Sequence, residues 1–355
     1  MAQRRVHVVG TGTIGEPIIG LLAQHRRELG IDEVTFAKFS PRAADRPMVK
    51  ALRDLGARLA VAPEKRAEFE KAGMAPDLTT GEALDAARVV LDATPEDVGL
   101  ENKEKIYRKL DDGSRVFAAQ GSEDGFGKKW ALGINDDVVD PKTERFVHVV
   151  SCNTHSISVL VKAIGFQNGP RPAFREARFV CIRRAGDIGD KKFIQAPSVD
   201  KHKEALGTHH ATDVADVYRT LGFDLDLFSS AMKVNTPYMH TIWFDFRLQE
   251  PTTRARVLEQ LQANKYVGLT EKDATNTVFS FAREHGPFGR ILSQTVVAAP
   301  TIHVRGDGKE ITGFAFTPQD GNALLTNVAL AARALHPDDW LKRIETFDKY
   351  LLKEY

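Results

Sequence analysis

Over the first 150 residues of the chain, short apolar runs alternate with stretches whose apolar residues recur at helical spacing. The runs at 5–9, 33–37, 58–60, 89–92, 115–118 and 146–150 predict strands, and the stretches at 16–27, 46–55, 63–71 and 102–110 predict helices between them. Strand and helix in alternation imply a parallel sheet with crossover helices. From about residue 152 the texture changes. Alternating runs at 178–183, 231–234 and 241–247 are separated by long polar loops, which predicts a second domain on a mixed or antiparallel sheet. The segments 322–335 and 340–352 return to helical spacing and are expected to pack back on the first domain. No internal repeat and no low-complexity stretch interrupts this order.

Composition narrows the class without naming a function. The chain has 355 residues, of which 42% are hydrophobic and 27% charged, enough for two domains each with its own core. With 49 basic against 48 acidic residues the net charge is +1, so neither a nucleic acid nor an anionic membrane is an expected partner. No apolar run approaches the roughly 18 residues of a spanning helix, and residues 1–5 lead straight into a strand without a signal-peptide core. Two cysteines cannot build a disulfide framework, which leaves a cytoplasmic location as the expectation.

The first chemistry lies at residues 10–15. Gly10-Thr11-Gly12-Thr13-Ile14-Gly15 places a G-x-G-x-x-G between a predicted strand and a predicted helix. Glycines there allow a tight turn and close backbone approach to a pyrophosphate, which the helix N-terminus stabilises. The expected first domain is therefore of Rossmann type, over residues 1–151 and completed by the C-terminal helices within 322–355, with an α+β catalytic domain over 152–321. An NAD-specific site puts an acid at the end of the second strand to bind the ribose hydroxyls. Here the stretch reads Ala37-Lys38-Phe39-Ser40-Pro41-Arg42, and Lys38 and Arg42 suit a 2′-phosphate, so NADP is favoured with NAD possible. Leu91-Asp92-Ala93-Thr94-Pro95 and Phe117-Ala118-Ala119-Gln120-Gly121 each close a strand with a polar turn, at the strand ends that line the ligand crevice.

The second chemistry surrounds one thiol. Cys152 follows the run 146–150 and opens a predicted helix, whose N-terminal field favours a thiolate. Cys181, inside the apolar run Phe179-Val180-Cys181-Ile182, reads as inert core. A thiol enzyme needs a proton acceptor, and there are eleven histidines. His7 and His148 alternate within strands and read as structural, while His25, His202, His285 and His336 are expected to be exposed. His155, His209, His210, His240 and His303 remain as candidates. Arg183-Arg184 ends a strand, where neighbours point to opposite faces, so one of the two at most is expected to reach a given ligand.

Taken in order, these motifs resemble the type II, archaeal-type glyceraldehyde-3-phosphate dehydrogenase family over nearly the whole chain. The residues that carry the resemblance are Gly10 to Gly15; Asp92-Ala93-Thr94-Pro95 with Gly99, Asn102 and Lys103; Gln120-Gly121; Val149-Val150-Ser151-Cys152-Asn153-Thr154; Arg183-Arg184-Ala185; Thr208-His209-His210; Val234 to His240; and Gln319. The resemblance implies Cys152 as nucleophile and His240 as general base. It further implies that Ser151, Asn153, His209 and His210 contact a phosphorylated aldehyde or inorganic phosphate, and that Gly121, Arg184 and Gln319 join Thr11 to Gly15 at the cofactor. A homotetramer is implied as well, and no metal. Three stretches depart from the family pattern, all on the substrate side. His155-Ser156 stands for Thr-Gly, Ala211-Thr212-Asp213 for Gly-Pro-Asp, and Asn235-Thr236-Pro237-Tyr238 for a Pro-Thr-Thr-Leu type sequence. A sister dehydrogenase acting on another phosphorylated or phosphonylated aldehyde, a Rossmann reductase without covalent catalysis, and an NADP-binding sensor therefore stay open as alternatives.

Overall fold

Apolar runs bounded by polar residues become strands wherever both faces are covered. In a computed structural model, which describes residues 3–121, 123–185, 196–236, 238–319 and 321–355, the first 150 residues carry β1 (Arg5–Val9), β2 (Glu33–Ala37), β3 (Arg58–Val61), β4 (Leu78–Thr79), β5 (Val89–Asp92), β6 (Val116–Gly121), β7 (Lys128–Trp130) and β8 (Phe146–Val150). They form one sheet in the order β4-β3-β2-β1-β5-β6-β8-β7. The pairs β3–β4, β2–β3, β1–β2, β1–β5 and β5–β6 are all parallel. The order reverses between β1 and β5, the switch point outside which such sheets bind ligands. β4 and β7, two and three residues long, are too short for a periodic signal and were not expected.

The helix predicted at 102–110 is three pieces: Val98–Asn102, a π turn at Lys103–Tyr107 and Arg108–Leu110. The wider turn has a local cause. It brings Asn102 and Tyr107, five residues apart, to the same carboxylate oxygen of Asp92, at 2.8 and 2.5 Å. Lys103 meanwhile donates to the carbonyls of Gly125 and Phe126 at 2.8 and 2.6 Å. The predicted tail appears as Leu324–Leu335, Trp340–Ile344 and a 3-10 turn at Glu345–Tyr350. Leu324–Leu335 packs on the helix Gly15–Gln24. The expected exposure of His25 is corrected by this tail: the residue is buried, its ring edge-on to Phe347 at 4.8 Å.

The second sheet runs β10 (Ser198–Val199), β11 (Leu227–Lys233), β9 (Phe174–Arg183), β12 (His240–Leu248), β16 (Glu310–Thr317), β14 (Thr295–Ala298), β13 (Val267–Thr270), with β15 (His303–Arg305) on β16. β9–β11 and β13–β14 are parallel and the other pairs antiparallel, so the sheet is mixed. Along β9, β11 and β12 buried and half-buried residues alternate, as expected when one face meets the core. The helix Cys152–Leu160, its π continuation Val161–Gly165, and the helices His209–Arg219, Arg254–Ala263 and Thr275–His285 accompany this sheet. The chain is thus α/β, a parallel Rossmann-like sheet with helices plus a second, mixed sheet.

Two units divide the chain. One comprises the described parts of Met1–Lys128, Val139–Val149 and Leu324–Asp348; the other those of Lys129–Val138, Val150–Ala323 and Lys349–Tyr355. Gly186 and Asp187, which follow the double arginine, and Pro237 of the stretch before His240 lie outside the described residues. Among the described residues no helix is long and apolar enough to cross a membrane.

Candidate functional site

The glycine turn of the first unit grows out of β1. Gly10 has φ +99°, a left-handed value that favours glycine. A side chain on it would come within 3.0 Å of the Ala93 carbonyl oxygen, across the switch point. Gly15 is needed for a different reason: a Cβ there would lie 2.2 Å from the Gly10 carbonyl oxygen, so the helix could not start so close to the strand. Around Gly12 nothing lies within 4 Å of an added Cβ, which leaves open space above the helix N-terminus. Ile14, the N-cap, makes no side-chain hydrogen bond to that end. An open turn, a required left-handed glycine and a helix whose N-cap side chain leaves its terminus unbonded fit a dinucleotide pyrophosphate.

Beside it, the β1–β2 register places Lys38 next to the turn, with the Gly10 amide donating to the Ala37 carbonyl at 3.1 Å. Lys38 is buried, and its Nζ lies 3.5 Å from Thr11 Oγ1 and 2.5 Å from Asp45 Oδ2. Arg42 is exposed and sends Nε to the same Asp45 oxygen at 3.1 Å. Partial burial raises the Asp45 carboxyl, but the bonds and charges of Lys38 and then Arg42 outweigh it and hold it below the usual carboxylate range. The structure thus brings together the two expected cations and an acid the sequence reading overlooked.

The strand-end motifs of this unit are both tied down. Asp92, buried, accepts the Thr94 amide at 2.9 Å and the Thr94 hydroxyl at 2.5 Å through one oxygen, and Asn102 and Tyr107 through the other. Gly121 has φ +87°, with open space where a side chain would be, and its carbonyl meets His148 Nε2 at 2.9 Å. Gln120 Oε1 accepts Asn327 Nδ2 at 3.0 Å.

In the second unit Ser151 is the N-cap of the helix that Cys152 opens, and its hydroxyl accepts the Thr154 amide at 3.3 Å. The Cys152 carbonyl accepts Asn322 Nδ2 at 2.8 Å, and the same nitrogen donates to the Gln294 carbonyl at 3.0 Å. Burial pushes the thiol up from an ordinary 9.0 to about 11, against the pull of the Arg184 charge, the Asn153 amide and the Arg183 charge. The helix terminus favours the anion, and burial opposes it. Cys181 is pushed higher by the same cause, to about 12.

His240 is the first residue of β12 and buried. Burial, then the Arg184, Arg183 and Lys233 charges, hold its pKa well below 6.5, so the ring is neutral at neutral pH. The Arg184 amide donates to its Nδ1 at 2.8 Å. In a neutral imidazole this leaves the proton on Nε2. No hydrogen bond joins Cys152 to the His240 ring among the described residues.

The two adjacent arginines separate as the strand geometry predicts. Arg184 is buried, with Nε on Gln319 Oε1 and Nη1 on the Tyr238 carbonyl at 3.4 Å. Arg183 pairs with Asp200 at 2.9 Å and lines a polar cavity of about 550 Å³ with Lys201, Lys203, Thr208 and His209. The rings of His209 and His210 are 4.0 Å apart. His210 is buried between Asn153 Nδ2 at 3.1 Å and Thr208 Oγ1 at 3.0 Å, and burial, then the His209 charge, lowers its pKa well below 6.5. Asn153 Oδ1 is buried without a hydrogen-bond partner. Ser151, Cys152, Asn153, Arg184, His209, His210, His240 and Gln319 thus belong to the second unit, and residues 10–15, Lys38, Arg42 and Gly121 to the first.

Of the departures from the family pattern, those at 155–156 and 211–213 are mostly buried, whereas Asn235, Thr236 and Tyr238 are exposed. His155 is buried with Nδ1 3.1 Å from the Ser151 carbonyl, and Ser156 bonds Thr295 at 2.8 Å. Asp213 accepts Lys129 Nζ at 2.7 Å. Tyr238 alone among them is an exposed ring, edge-on to Phe279 at 5.7 Å. Asn322 and Asp213 were missed from sequence because their partners, Cys152 and Lys129, lie far away along the chain.

No protein-family model matches the chain. Curated proteins do. The glyceraldehyde-3-phosphate dehydrogenase of Pyrobaculum calidifontis is 29% identical over 309 residues, covering 85% of this chain and 84% of that protein. The protein of the same name from Metallosphaera sedula is 29% identical over 310 residues, 85% of each chain. That of Aeropyrum pernix is 28% identical over 352 residues, 96% of each.

Proposed function

We propose, from the chain's kinship with the archaeal-type glyceraldehyde-3-phosphate dehydrogenase family, that it is an NADP-preferring dehydrogenase which converts a phosphorylated aldehyde to an acyl phosphate through a thioester on Cys152. The observation that carries this reading is the thiol: Cys152 opens a helix under the Arg184 and Arg183 charges, in the same unit as a neutral, buried His240. Addition of the thiol to the aldehyde forms the S–C bond, and the S–H proton ends on the carbonyl oxygen as a hemithioacetal hydroxyl. When bound, the oxidised dinucleotide supplies the acceptor for the hydride that leaves the hemithioacetal carbon. His240 takes the hydroxyl proton as the thioester carbonyl forms. Inorganic phosphate then attacks that carbonyl, the C–S bond breaks, and Cys152 leaves as the thiolate with the acyl phosphate released. The reverse, reductive sequence uses the same groups.

The residues fit their proposed partners. Gly10, Thr11, Gly12, Thr13, Ile14 and Gly15 hold the pyrophosphate, Lys38 and Arg42 serve the 2′-phosphate, and Gly121, Arg184 and Gln319 complete the cofactor contacts. Ser151, Asn153, His209 and His210 bind the phosphorylated aldehyde or phosphate. The orphaned Asn153 Oδ1 and the polar cavity beside His209, lined by Arg183, Lys201 and Lys203 with Asp200 and Glu204, support this. Homotetramer formation is part of the same reading. The cross-strand row of Ser230, Val180, Trp243 and Phe314 on the half-buried face of the second sheet offers it a contact surface.

A second reading of His240 follows from its bond to the Arg184 amide. With the proton on Nε2 the ring is a donor, suited to polarise the aldehyde oxygen, and taking a proton there requires release of that amide.

The test is an aldehyde panel, phosphorylated, phosphonylated and plain, assayed with NADP and with NAD, with and without phosphate. Phosphate-dependent reduction of NADP is expected with a phosphorylated aldehyde, and Cys152→Ser should abolish it while leaving NADP binding intact. Normal turnover in Cys152→Ser would select a reductase without a covalent step.

A further inference from the structure

We infer that Asp45 sets the choice between the two dinucleotides, by occupying the cations that a ribose 2′-phosphate would meet and by supplying the carboxylate that the end of β2 lacks. The inference rests on the reading that residues 10–15 hold a dinucleotide. Lys38 reaches the turn from the end of β2, with Nζ 3.5 Å from Thr11 Oγ1. Its side chain is only 5% exposed, so its charge needs a partner, and Asp45 provides it at 2.5 Å. The same Asp45 oxygen holds Arg42 at 3.1 Å. One acid therefore neutralises part of both cations that a sequence reading assigns to NADP.

The geometry makes Asp45 an unusual acid for this position. It is not at the strand end, where an acid selects NAD, but in the 3-10 turn Ala43–Asp45, which leads into the helix Arg46–Asp54. The chain returns it in space to the place where sequence shows only Lys38 and Arg42. A 2′-phosphate, with a charge of about −1.5 to −2, must share the cations with this carboxylate or push it aside. A 2′-hydroxyl finds in it an acceptor. Asp45 therefore restrains the preference for NADP and supports the binding of NAD. Removing its charge leaves two cations for the 2′-phosphate and no acceptor for the hydroxyl.

The experiment measures dissociation constants of NADP and NAD by calorimetry on the full chain, with adenosine 2′,5′-bisphosphate and AMP as fragment probes. In Asp45→Asn the ratio of NADP to NAD affinity should rise about tenfold or more, the scale of one charge-assisted hydrogen bond, and the bisphosphate should tighten relative to AMP. In a Lys38→Ala, Arg42→Ala background the same change should leave the phosphate preference unmoved, because the cations it releases are gone. An Asp45→Asn ratio equal to the parent's, or an equal loss for both dinucleotides, would make Asp45 a purely structural clamp and overturn the inference. Should the asparagine variant not fold, Asp45→Ser carries the same test. A parent chain that binds neither dinucleotide removes the underlying reading as well, an outcome distinct from an unchanged ratio.

Discussion

Two helices of this chain begin at strand ends, Gly15–Gln24 after β1 and Cys152–Leu160 after β8, and they put the same dipole to different use. At the first the N-cap Ile14 gives no side-chain bond, and open space lies above Gly12. The second is capped by Ser151, and its first residue, a partly buried cysteine, carries a thiol whose anion desolvation disfavours. A helix terminus favours an anion by about 0.3–1 kcal/mol. Raising a thiol from 9.0 to about 11 corresponds to about 3 kcal/mol against the thiolate. Burial wins at Cys152, so the dipole there moderates a penalty and does not create a reactive group. At the glycine turn no such penalty arises, and the open space above Gly12 remains available to a ligand that brings its own charge. Position at a helix terminus is thus half of a site, and desolvation decides the other half.

The sharpest way to break this comparison is at His240. If the ring takes the hydroxyl proton, His240→Asn should cost turnover roughly 10²–10⁴-fold. If it acts as a donor through Nε2, the asparagine amide keeps that function, and turnover should fall less than about tenfold. Because burial and the neighbouring cations lower the His240 pKa, the acid limb of the parent's rate profile should lie below pH 6.5 and not at it. Steady-state rates across pH 4–8 in both proteins read the answer.

Alkylation of the free chain tests the thiol's penalty directly. With a pKa of about 11, the iodoacetamide rate at Cys152 should climb about tenfold per pH unit from pH 8 toward 11, with Cys181 lagging throughout. A plateau near pH 7 would show that the helix terminus and Arg184 prevail over burial. At the other helix, Gly12→Ala should leave thermal stability unchanged, since its methyl meets nothing, yet weaken NADP by about tenfold through the space it fills. Gly15→Ala should instead lower Tm, its methyl colliding with the Gly10 carbonyl.

The smallest effect concerns acid stability. His7 is buried, with Nδ1 2.7 Å from Thr35 Oγ1, and burial lowers its pKa to about 3. The unfolded chain binds that proton near pH 6.5 and the folded chain does not, so stability is full above pH 6.5 and falls as pH drops toward 3. Between pH 6.5 and 5 this group alone should remove about 2 kcal/mol, and His210 and His240 act in the same direction. Urea midpoints of the parent and His7→Asn would show it, the variant having the flatter profile.

Much of the first sheet was legible because its strands are buried on both faces and end abruptly at glycine or charge. β1, β2, β5 and β8 begin and end where their apolar runs do. In the second sheet β13 and β14 escaped notice, since each is a wholly buried four-residue run without alternation. The π turn at Lys103–Tyr107 was invisible because its cause, two partners of Asp92, appears only once the chain is folded. The glycine turn, the thiol at a helix start and the separation of Arg183 from Arg184 could be read from local pattern. Asp45 went unread, although its i,i+3 relation to Arg42 was a signal in plain view. The protonation of Cys152 and His240 was equally hidden, because it depends on burial by distant segments.

The bond from Asn322 to the Cys152 carbonyl spans 170 residues of sequence. At the ribosome, synthesis proceeds at about 5–20 residues per second, so the thiol waits roughly 10–30 s for this support after its own helix has emerged. The first unit waits too, since Leu324–Asp348 belongs to it. Neither half is contiguous, and a gene cut near residue 150 yields two fragments that each lack a piece of their own core. Assembly of this chain is a late event in its translation.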